Sequence, residues 1–203
     1  QKCTYCDFHF STTFHSYRSK MSSSLIQEIE LQKEYLKGKA IETIYFGGGT
    51  PSLLTIDELN QILSKINSTF NTENLLEVTL EANPDDINTE VVQAWKSIGV
   101  NRLSIGLQSF KESDLKWMNR AHNVEESFTC VKSAIDGGIP NLTVDLMYGL
   151  PDLSNEEWRN HIQTVIDLGV QHVSAYCLTV EEGTLLDKEV EKGKIVPPGD
   201  DLQ

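Results

Sequence analysis

The 203-residue chain lacks several features that would mark a function by themselves. It has no block of lysine and arginine, and its formal net charge is −13, which argues against a surface for nucleic acid phosphates. It has no apolar run of about 18 residues, so we predict no transmembrane helix. Four cysteines are too few for a disulfide scaffold of this length. The remaining composition is that of an ordinary globular protein. The few cysteines predict a protein of the reducing cytoplasm.

Nucleotide-binding motifs and paired histidine ligands are missing as well. The glycine run at 47–49 is not a P-loop, because no Gly-Lys-Ser/Thr follows, and it does not fit the dinucleotide motif G-x-G-x-x-G. None of the histidines has metal-like spacing to another. We interpret His161 and His172 as surface or core residues. We assign no role to His9 and His15, which lie near a cysteine pair.

Short apolar segments alternate with longer amphipathic ones along the chain. We predict five strands, over residues 41–46, 75–80, 102–107, 142–148 and 172–178. Helical patterns separate them, over 17–36, 56–70, 125–136 and 154–168, with Asn88 and Asn123 as N-caps. Strict alternation predicts a parallel sheet with helices outside. Either a doubly wound sheet or a (β/α) barrel, whole or partial, fits this pattern.

Chemistry in parallel α/β folds collects where the strands end. Reading those ends gives a glycine run at 47–49, the carboxylate of Glu81, the amide of Gln108 and the carboxylate of Asp145. Asp145 lies inside an apolar strand, where a charge costs several kcal/mol unless it is paired. Arg120 is one candidate for its partner. We therefore expect a polar rim at one edge of the sheet.

The pair Cys3 and Cys6 forms a Cys-x-x-Cys motif in an aromatic-rich loop. Alone it fits half a zinc site, a redox pair or part of an iron–sulfur site. The zinc interpretation needs two further ligands at similar spacing, which the sequence lacks. Cys130 and Cys177 are predicted to be small buried hydrophobes. Because the chain begins inside this motif, we expect a strand and a third cysteine upstream of Gln1.

Six motifs occur in the order that one known family has them. They are Lys2-Cys3-Thr4-Tyr5-Cys6-Asp7-Phe8, Phe46-Gly47-Gly48-Gly49-Thr50-Pro51, Glu81-Ala82-Asn83-Pro84, residues 101–110, Asn119-Arg120 and residues 144–151. Together they resemble the radical S-adenosylmethionine (SAM) superfamily, in particular its oxygen-independent coproporphyrinogen-III-oxidase-like branch. They span nearly the whole chain.

The resemblance implies a partial (β/α)6, TIM-like barrel whose first strand precedes residue 1. Residues 1–196 would form the radical SAM core, and 197–203 would begin a linker to a C-terminal region. Cys3 and Cys6 look like the second and third cysteines of C-x-x-x-C-x-x-C, which binds a [4Fe–4S] cluster. Such a cluster holds SAM and cleaves it to a 5′-deoxyadenosyl radical.

The resemblance also implies which residues contact the cofactors. Those lining the pocket for SAM and a second ligand are Tyr5, Gly48, Gly49, Thr50, Glu81, Gln108, Arg120, Asp145 and, as a weaker match, Thr179. Within this set Gly48, Gly49 and Thr50 look like the SAM-contacting loop, and Glu81 looks like its carboxylate partner. Tyr5 matches an aromatic residue that packs near SAM.

Two functions are compatible with this branch. The main one is a radical SAM oxidoreductase that oxidatively decarboxylates coproporphyrinogen III, with a flavodoxin or ferredoxin as electron donor. The alternative is a heme chaperone of the HemW-like subgroup, which binds heme and delivers it, with weak membrane or respiratory-protein association. Oxidases of this branch carry another cysteine two residues after the third cluster cysteine. Here Asp7-Phe8 follows Cys6, which favours the chaperone.

Overall fold

The computed structural model describes residues 3–8 and 17–196, so His9, His15 and the predicted linker lie outside the described residues. Five parallel strands form one sheet in the order β1-β2-β3-β4-β5. Their bounds are β1 Thr43–Phe46, β2 Glu77–Ala82, β3 Arg102–Gln108, β4 Leu142–Tyr148 and β5 His172–Cys177. A doubly wound sheet would reverse its strand order part-way. The consecutive order is that of a partial barrel, so the predicted fold class is confirmed.

Helices connect the strands on one side of the sheet. The helices in the described part of the chain are α1 Arg18–Leu31, α2 Ile56–Thr69, α3 Thr89–Ser97, α4 Glu112–Trp117, α5 Val124–Asp136, α6 Asn155–Asp167 and α7 Leu185–Glu191. Short 3-10 turns at Pro51–Leu53 and Pro84–Asp86 follow β1 and β2. None of these helices is long and apolar enough to cross a membrane.

Both predicted N-caps are confirmed. The Asn88 side chain accepts a hydrogen bond from the Val91 backbone N–H, and Asn123 accepts one from Glu126. Glu126 reaches back to the Asn123 backbone, which completes a capping box. These caps satisfy N–H groups that the first turn of a helix leaves without partners. They hold the starts of α3 and α5.

Several predicted boundaries were wrong, including the start of β1, which is Thr43 rather than residue 41. Helix α1 ends at Leu31 rather than residue 36, and both Leu31 and Tyr35 are exposed, so no packing supports a longer helix. Strand β2 runs two residues later than predicted, because Leu75 N–H closes a turn onto Thr72 and Leu76 is exposed. As a consequence Glu81 lies inside β2, one residue before its end, rather than after the strand.

The alternation of side chains along the strands separates a core from a polar face. On β3, Leu103, Ile105 and Leu107 are fully buried against the helices. Ser104 and Gly106 point to the opposite face, together with the residues in register with them on neighbouring strands. A parallel sheet covered on one side only therefore presents one polar face on which a site can form.

Candidate functional site

The glycine loop after β1 is tied to the end of β2. Glu81 accepts a hydrogen bond from the Gly48 backbone N–H on Oε2 at 3.0 Å. Gly48 has φ of +104°, a left-handed conformation that side chains with a Cβ rarely adopt. Gly49 is exposed, and the Thr50 hydroxyl accepts a 3.4 Å hydrogen bond from the Asn83 amide. The structure thus brings Gly48, Thr50 and Glu81 together.

A tyrosine that the sequence reasoning missed belongs to the same group. The Tyr45 hydroxyl donates to Glu81 Oε1 at 2.9 Å, so the two oxygens of this carboxylate have different protein donors. A Cβ on Gly47 would approach the Tyr45 ring to 2.9 Å, so a glycine is needed there. The available signal was position: Tyr45 lies two residues before the glycine loop and on the polar face.

Arg120 is held firmly beside this loop. Its Nη2 donates to the Gly106 carbonyl at 2.7 Å and to Asn83 Oδ1 at 3.2 Å. Its Nη1 lies 3.5 Å from the Sγ atom of Cys3. Its Nε is buried, and no described residue accepts a hydrogen bond from it. The guanidinium therefore links the cysteine loop to the ends of β2 and β3 with one donor unused.

The loop of Cys3 and Cys6 is anchored through Thr4. Thr4 donates its backbone N–H to Met118 at 3.2 Å and its hydroxyl to the Trp117 carbonyl at 3.3 Å, both at the end of α4. The Thr4 carbonyl accepts from Leu186 at 2.9 Å in α7. These bonds leave both thiols partly exposed.

Tyr5 points inward between the two cysteines. It packs against a small apolar group that includes Met118, Met147 and Leu178. Burial raises the pKa of the Tyr5 hydroxyl, and the Cys3 sulfur beside it raises that pKa further. Tyr5 stays a neutral phenol that supports the loop.

Asp145 stands on β4 across the face from Glu81. Burial raises the pKa of Asp145 to about 6, the negative charge of Glu81 adds to the rise, and Arg120 opposes it. In the described part of the chain, Asp145 and Arg120 form no ion pair and Asp145 accepts no hydrogen bond. The direct partner proposed from sequence is therefore wrong, although the two charges sense each other.

Gln108 ends β3 in a strained backbone. Its φ is +72°, and the register between β3 and β4 shifts between Ile105 and Gln108. The strain turns the Gln108 amide back, so that a Cβ on Gly106 would lie 3.0 Å from it. Gln108 is thereby placed close to the Arg120 guanidinium, which is 3.5 Å from the same point.

Thr179 is not joined to this group. It is exposed and donates to Glu181 at 2.8 Å within its own loop. Among residues 3–8 and 17–196, no hydrogen bond connects Thr179 to the other predicted residues. Of the remaining predictions, Cys130 is buried as expected, whereas Cys177 is partly exposed. His161 is buried and His172 is exposed, as surface or core residues would be.

A second polar group lies on the same face, nearer the N-terminal ends of the strands. Arg102 Nη1 contacts Glu77 Oε1 and Thr79 Oγ1, each at 3.3 Å, and its Nη2 contacts the Thr143 hydroxyl. We call Arg102, Glu77, Thr79 and Thr143 the base group. The residues Glu81 and Asn83 at the end of β2, Asp145 in the middle of β4 and Arg120 after α4 are called the rim group.

Comparison with known families matches residues 1–165 to the radical SAM superfamily. This chain belongs to the radical SAM superfamily. That match spans most of the 203 residues and includes both the cysteine loop and the rim group. The family resemblance read from the six motifs is thus confirmed.

Curated relatives narrow the comparison. The heme chaperone HemW of Escherichia coli is 35% identical over 190 residues, covering 91% of this chain and 49% of that protein. HemW of Bacillus subtilis is 33% identical, covering 97% of this chain and 52% of the relative. A mitochondrial radical SAM domain-containing protein 1 of Danio rerio is 33% identical over all of this chain and 46% of its own. The chain spans about half the length of these relatives.

Solved structures share the architecture. Coproporphyrinogen III oxidase HemN from Escherichia coli, a radical SAM enzyme, superimposes with a TM-score of 0.82 at 23% identity, covering 100% of this chain and 46% of the other. Methylornithine synthase gives a TM-score of 0.68 at 11% identity, over 100% of this chain and 55% of that one. At these identities the similarity establishes the fold, a partial radical SAM barrel.

The donor set fits the cofactors that the superfamily uses. Cys3 and Cys6 are free thiols on one anchored loop and fit two thiolate ligands of an iron–sulfur cluster. The Nε of Arg120 is a buried donor without a partner in the described chain, and the Asp145 carboxylate, which senses the Arg120 charge, accepts no hydrogen bond there. Buried polar atoms normally have partners. The rim group therefore has unused hydrogen-bonding capacity for a polar ligand next to the cysteines.

Proposed function

We propose that this chain is the radical SAM core of a heme chaperone. The observation that carries the proposal is a sequence identity of 33–35% over nearly the whole chain to several proteins called heme chaperone HemW. The sequence after Cys6 agrees, because Asp7-Phe8 stands where the oxidases of the branch have a further cysteine. The fold alone does not separate the two functions, since the HemN structure shares it.

Cys3 and Cys6 would supply two thiolates to a [4Fe–4S] cluster. When bound, that cluster supplies one-electron chemistry and an attachment point for SAM. Arg120 Nη1 lies 3.5 Å from the Cys3 sulfur, where its positive charge would offset the negative charge of a bound cluster. Tyr5, between the cysteines, excludes water from one side of the loop.

The rim group would hold the SAM molecule. The glycine loop offers close backbone approach, because Gly48 has an open left-handed backbone and no neighbour within 4 Å of a Cβ position. Glu81 would accept from an ammonium group, and Arg120 Nε would donate to a carboxylate. Gln108 and Asp145 would bind hydroxyl or second-ligand groups from the opposite side.

The deciding experiment uses the full-length protein with its iron–sulfur cluster reconstituted anaerobically. Heme is titrated by absorbance, and coproporphyrinogen III with SAM and reductant is followed by mass spectrometry. We expect stoichiometric heme binding and no decarboxylated product. Catalytic formation of protoporphyrinogen would overturn the chaperone proposal and establish the oxidase, and failure to bind heme would overturn it as well.

The proposal has consequences for partners and location. A chaperone needs an acceptor for its heme, and we propose a respiratory or membrane protein in that role. If the cluster is reduced during function, a flavodoxin- or ferredoxin-type donor would supply the electron. We place the protein in the cytoplasm, where free thiols such as Cys3 and Cys6 persist.

A further inference from the structure

The carboxylate of Glu81 is oriented by two donors on opposite sides. Gly48 N–H binds Oε2 at 3.0 Å and the Tyr45 hydroxyl binds Oε1 at 2.9 Å. A carboxylate oxygen can accept more than one hydrogen bond, so each oxygen keeps capacity for a ligand. Two fixed donors remove the rotational freedom that a strand-end glutamate would otherwise have.

Tyr45 also shapes the loop that carries Gly48. Its ring lies under Gly47, where a Cβ would meet ring atoms at 2.9 and 3.2 Å and Glu81 Oε1 at 3.0 Å. One side chain therefore packs below the start of the glycine loop and donates to the carboxylate that accepts from the loop. With 54% of its surface exposed, Tyr45 reaches this position from the open side of β1.

The surroundings keep the phenol protonated and donating. Burial raises the pKa of Tyr45, and the Glu81 and Asp145 charges raise it further, against a hydrogen bond with Ser104. A protonated hydroxyl next to an ionised carboxylate donates to it, and bonds of this kind are stronger than neutral ones. The hydrogen bond therefore has a fixed direction, with Tyr45 as the donor and Glu81 as the acceptor.

We propose that Tyr45 is a positioning residue, which acts through Glu81 to preset the carboxylate and the glycine loop for the ammonium group of SAM. The inference rests on the proposed SAM site. Pre-organisation lowers the cost of ordering side chains on binding. Tyr45 need not touch the ligand, because its effect is transmitted through the Glu81 carboxylate.

The test measures SAM affinity of the cluster-loaded, full-length protein for Tyr45→Phe, with iron content matched between variants. Phenylalanine keeps the ring under Gly47 and removes the donor. We expect SAM to bind about tenfold more weakly or worse, as for loss of one hydrogen bond to a charged group. Tyr35→Phe is the control, because Tyr35 is an exposed tyrosine that lies after α1, outside the strands of the polar face. Its affinity should equal that of the unmodified protein.

Two further measurements separate positioning from packing. In a Glu81→Gln background, Tyr45→Phe should have little additional effect, because the coupling partner is gone. Without SAM, the Gly48 amide should exchange its hydrogen faster in Tyr45→Phe, because the carboxylate that accepts from it is less fixed.

The outcomes are distinguishable. Unchanged SAM affinity in Tyr45→Phe, or an equal loss in both backgrounds, would overturn the role of Tyr45 and leave the proposed function standing. If the unmodified, cluster-loaded protein does not bind SAM, the proposed SAM site fails, and the inference with it. Weaker SAM binding in Tyr45→Phe that is absent in the Glu81→Gln background supports both the role of Tyr45 and the proposed SAM site.

Discussion

The base group and the rim group lie on the same face of the same strands, yet they are organised in opposite ways. At the base, Arg102 is paired with Glu77 and bonded to two threonine hydroxyls, so its charge is compensated within the group. At the rim, Arg120 has a buried Nε without a described acceptor, and Asp145 accepts no hydrogen bond from the described residues. One arginine completes its contacts inside the protein, and the other does not.

We propose that this difference separates a structural cluster from a binding site. A charge that is taken from water must be compensated, and an uncompensated one reduces stability. The rim retains such groups next to two free thiols and a left-handed glycine, which is what a site for a polar cofactor requires. The following predictions test whether stability depends on the base and ligand binding on the rim.

The largest expected effect is on iron content. Cys6→Ala in the full-length protein should reduce cluster iron after reconstitution to near zero, because a thiolate ligand is lost. Cys177→Ala is the control, since Cys177 is also a partly exposed free thiol but is the last residue of β5, outside the cysteine loop. Equal iron in Cys6→Ala and the unmodified protein, measured by elemental analysis, would contradict the ligand assignment.

Loss of the base arginine should be the most destabilising of the substitutions proposed. Arg102→Met leaves Glu77 without its cation and should lower the free energy of unfolding by about 2–3 kcal/mol. Thermal or denaturant unfolding measures it. Lys132→Met removes an exposed pair with Asp136 and should change stability by less than about 0.5 kcal/mol. Equal losses in the two variants would show that the base group is not special.

The rim acid should make the ligand-free protein less stable as pH rises. The pKa of Asp145 is raised to about 6, so the folded chain binds more protons than the unfolded chain between about pH 4 and 6. The contribution of Asp145 to the free energy of unfolding should therefore decrease across that range and level off above it, while carboxylates with lowered pKa values, such as Glu157, contribute with the opposite sign. Asp145→Asn should remove the decrease and be more stable by up to about 3 kcal/mol at pH 7.5. Identical pH profiles, from denaturant unfolding of both proteins, would contradict the burial of an unpaired charge.

The smallest predicted change concerns the glycine loop. Gly48 and Gly169 both have positive φ, at +104° and +72°, and neither would bring a Cβ within 4 Å of another atom. Alanine at either position should cost about 1 kcal/mol of stability through backbone strain. We expect weakened SAM binding for Gly48→Ala alone, measured by titration. Equal SAM affinity in the two variants would remove the loop from the site.

Local sequence signals predicted most of the fold. The strands follow from short β-branched runs, and the caps at Asn88 and Asn123 follow from side chains that compete for backbone N–H groups. The short helix α4 and the helix α7 were not predicted, because their few residues carry too little periodicity. Tertiary contacts, through Thr4, support both.

The sequence indicated which residues the structure brings together, but it did not indicate the hydrogen bonds between them. The structure brings Glu81, Arg120 and Asp145 close enough to sense one another's charge, although only Glu81 lies near a strand end and Asp145 lies in the middle of β4. The contact of Arg120 with Gly106 and Asn83, and that of Tyr45 with Glu81, join residues far apart in sequence. Such pairings depend on strand register and on the turned backbone at Gln108, which no local pattern encodes.

One pair of variants tests the central claim most directly, namely that the rim and not the base binds SAM. SAM affinity is measured on cluster-loaded, full-length Arg120→Met and Arg102→Met, at a temperature where both are folded. We predict at least a tenfold loss for Arg120→Met, because a charged donor to the ligand is removed, and unchanged affinity for Arg102→Met. Unchanged binding by Arg120→Met, or an equal loss in Arg102→Met, would contradict the account.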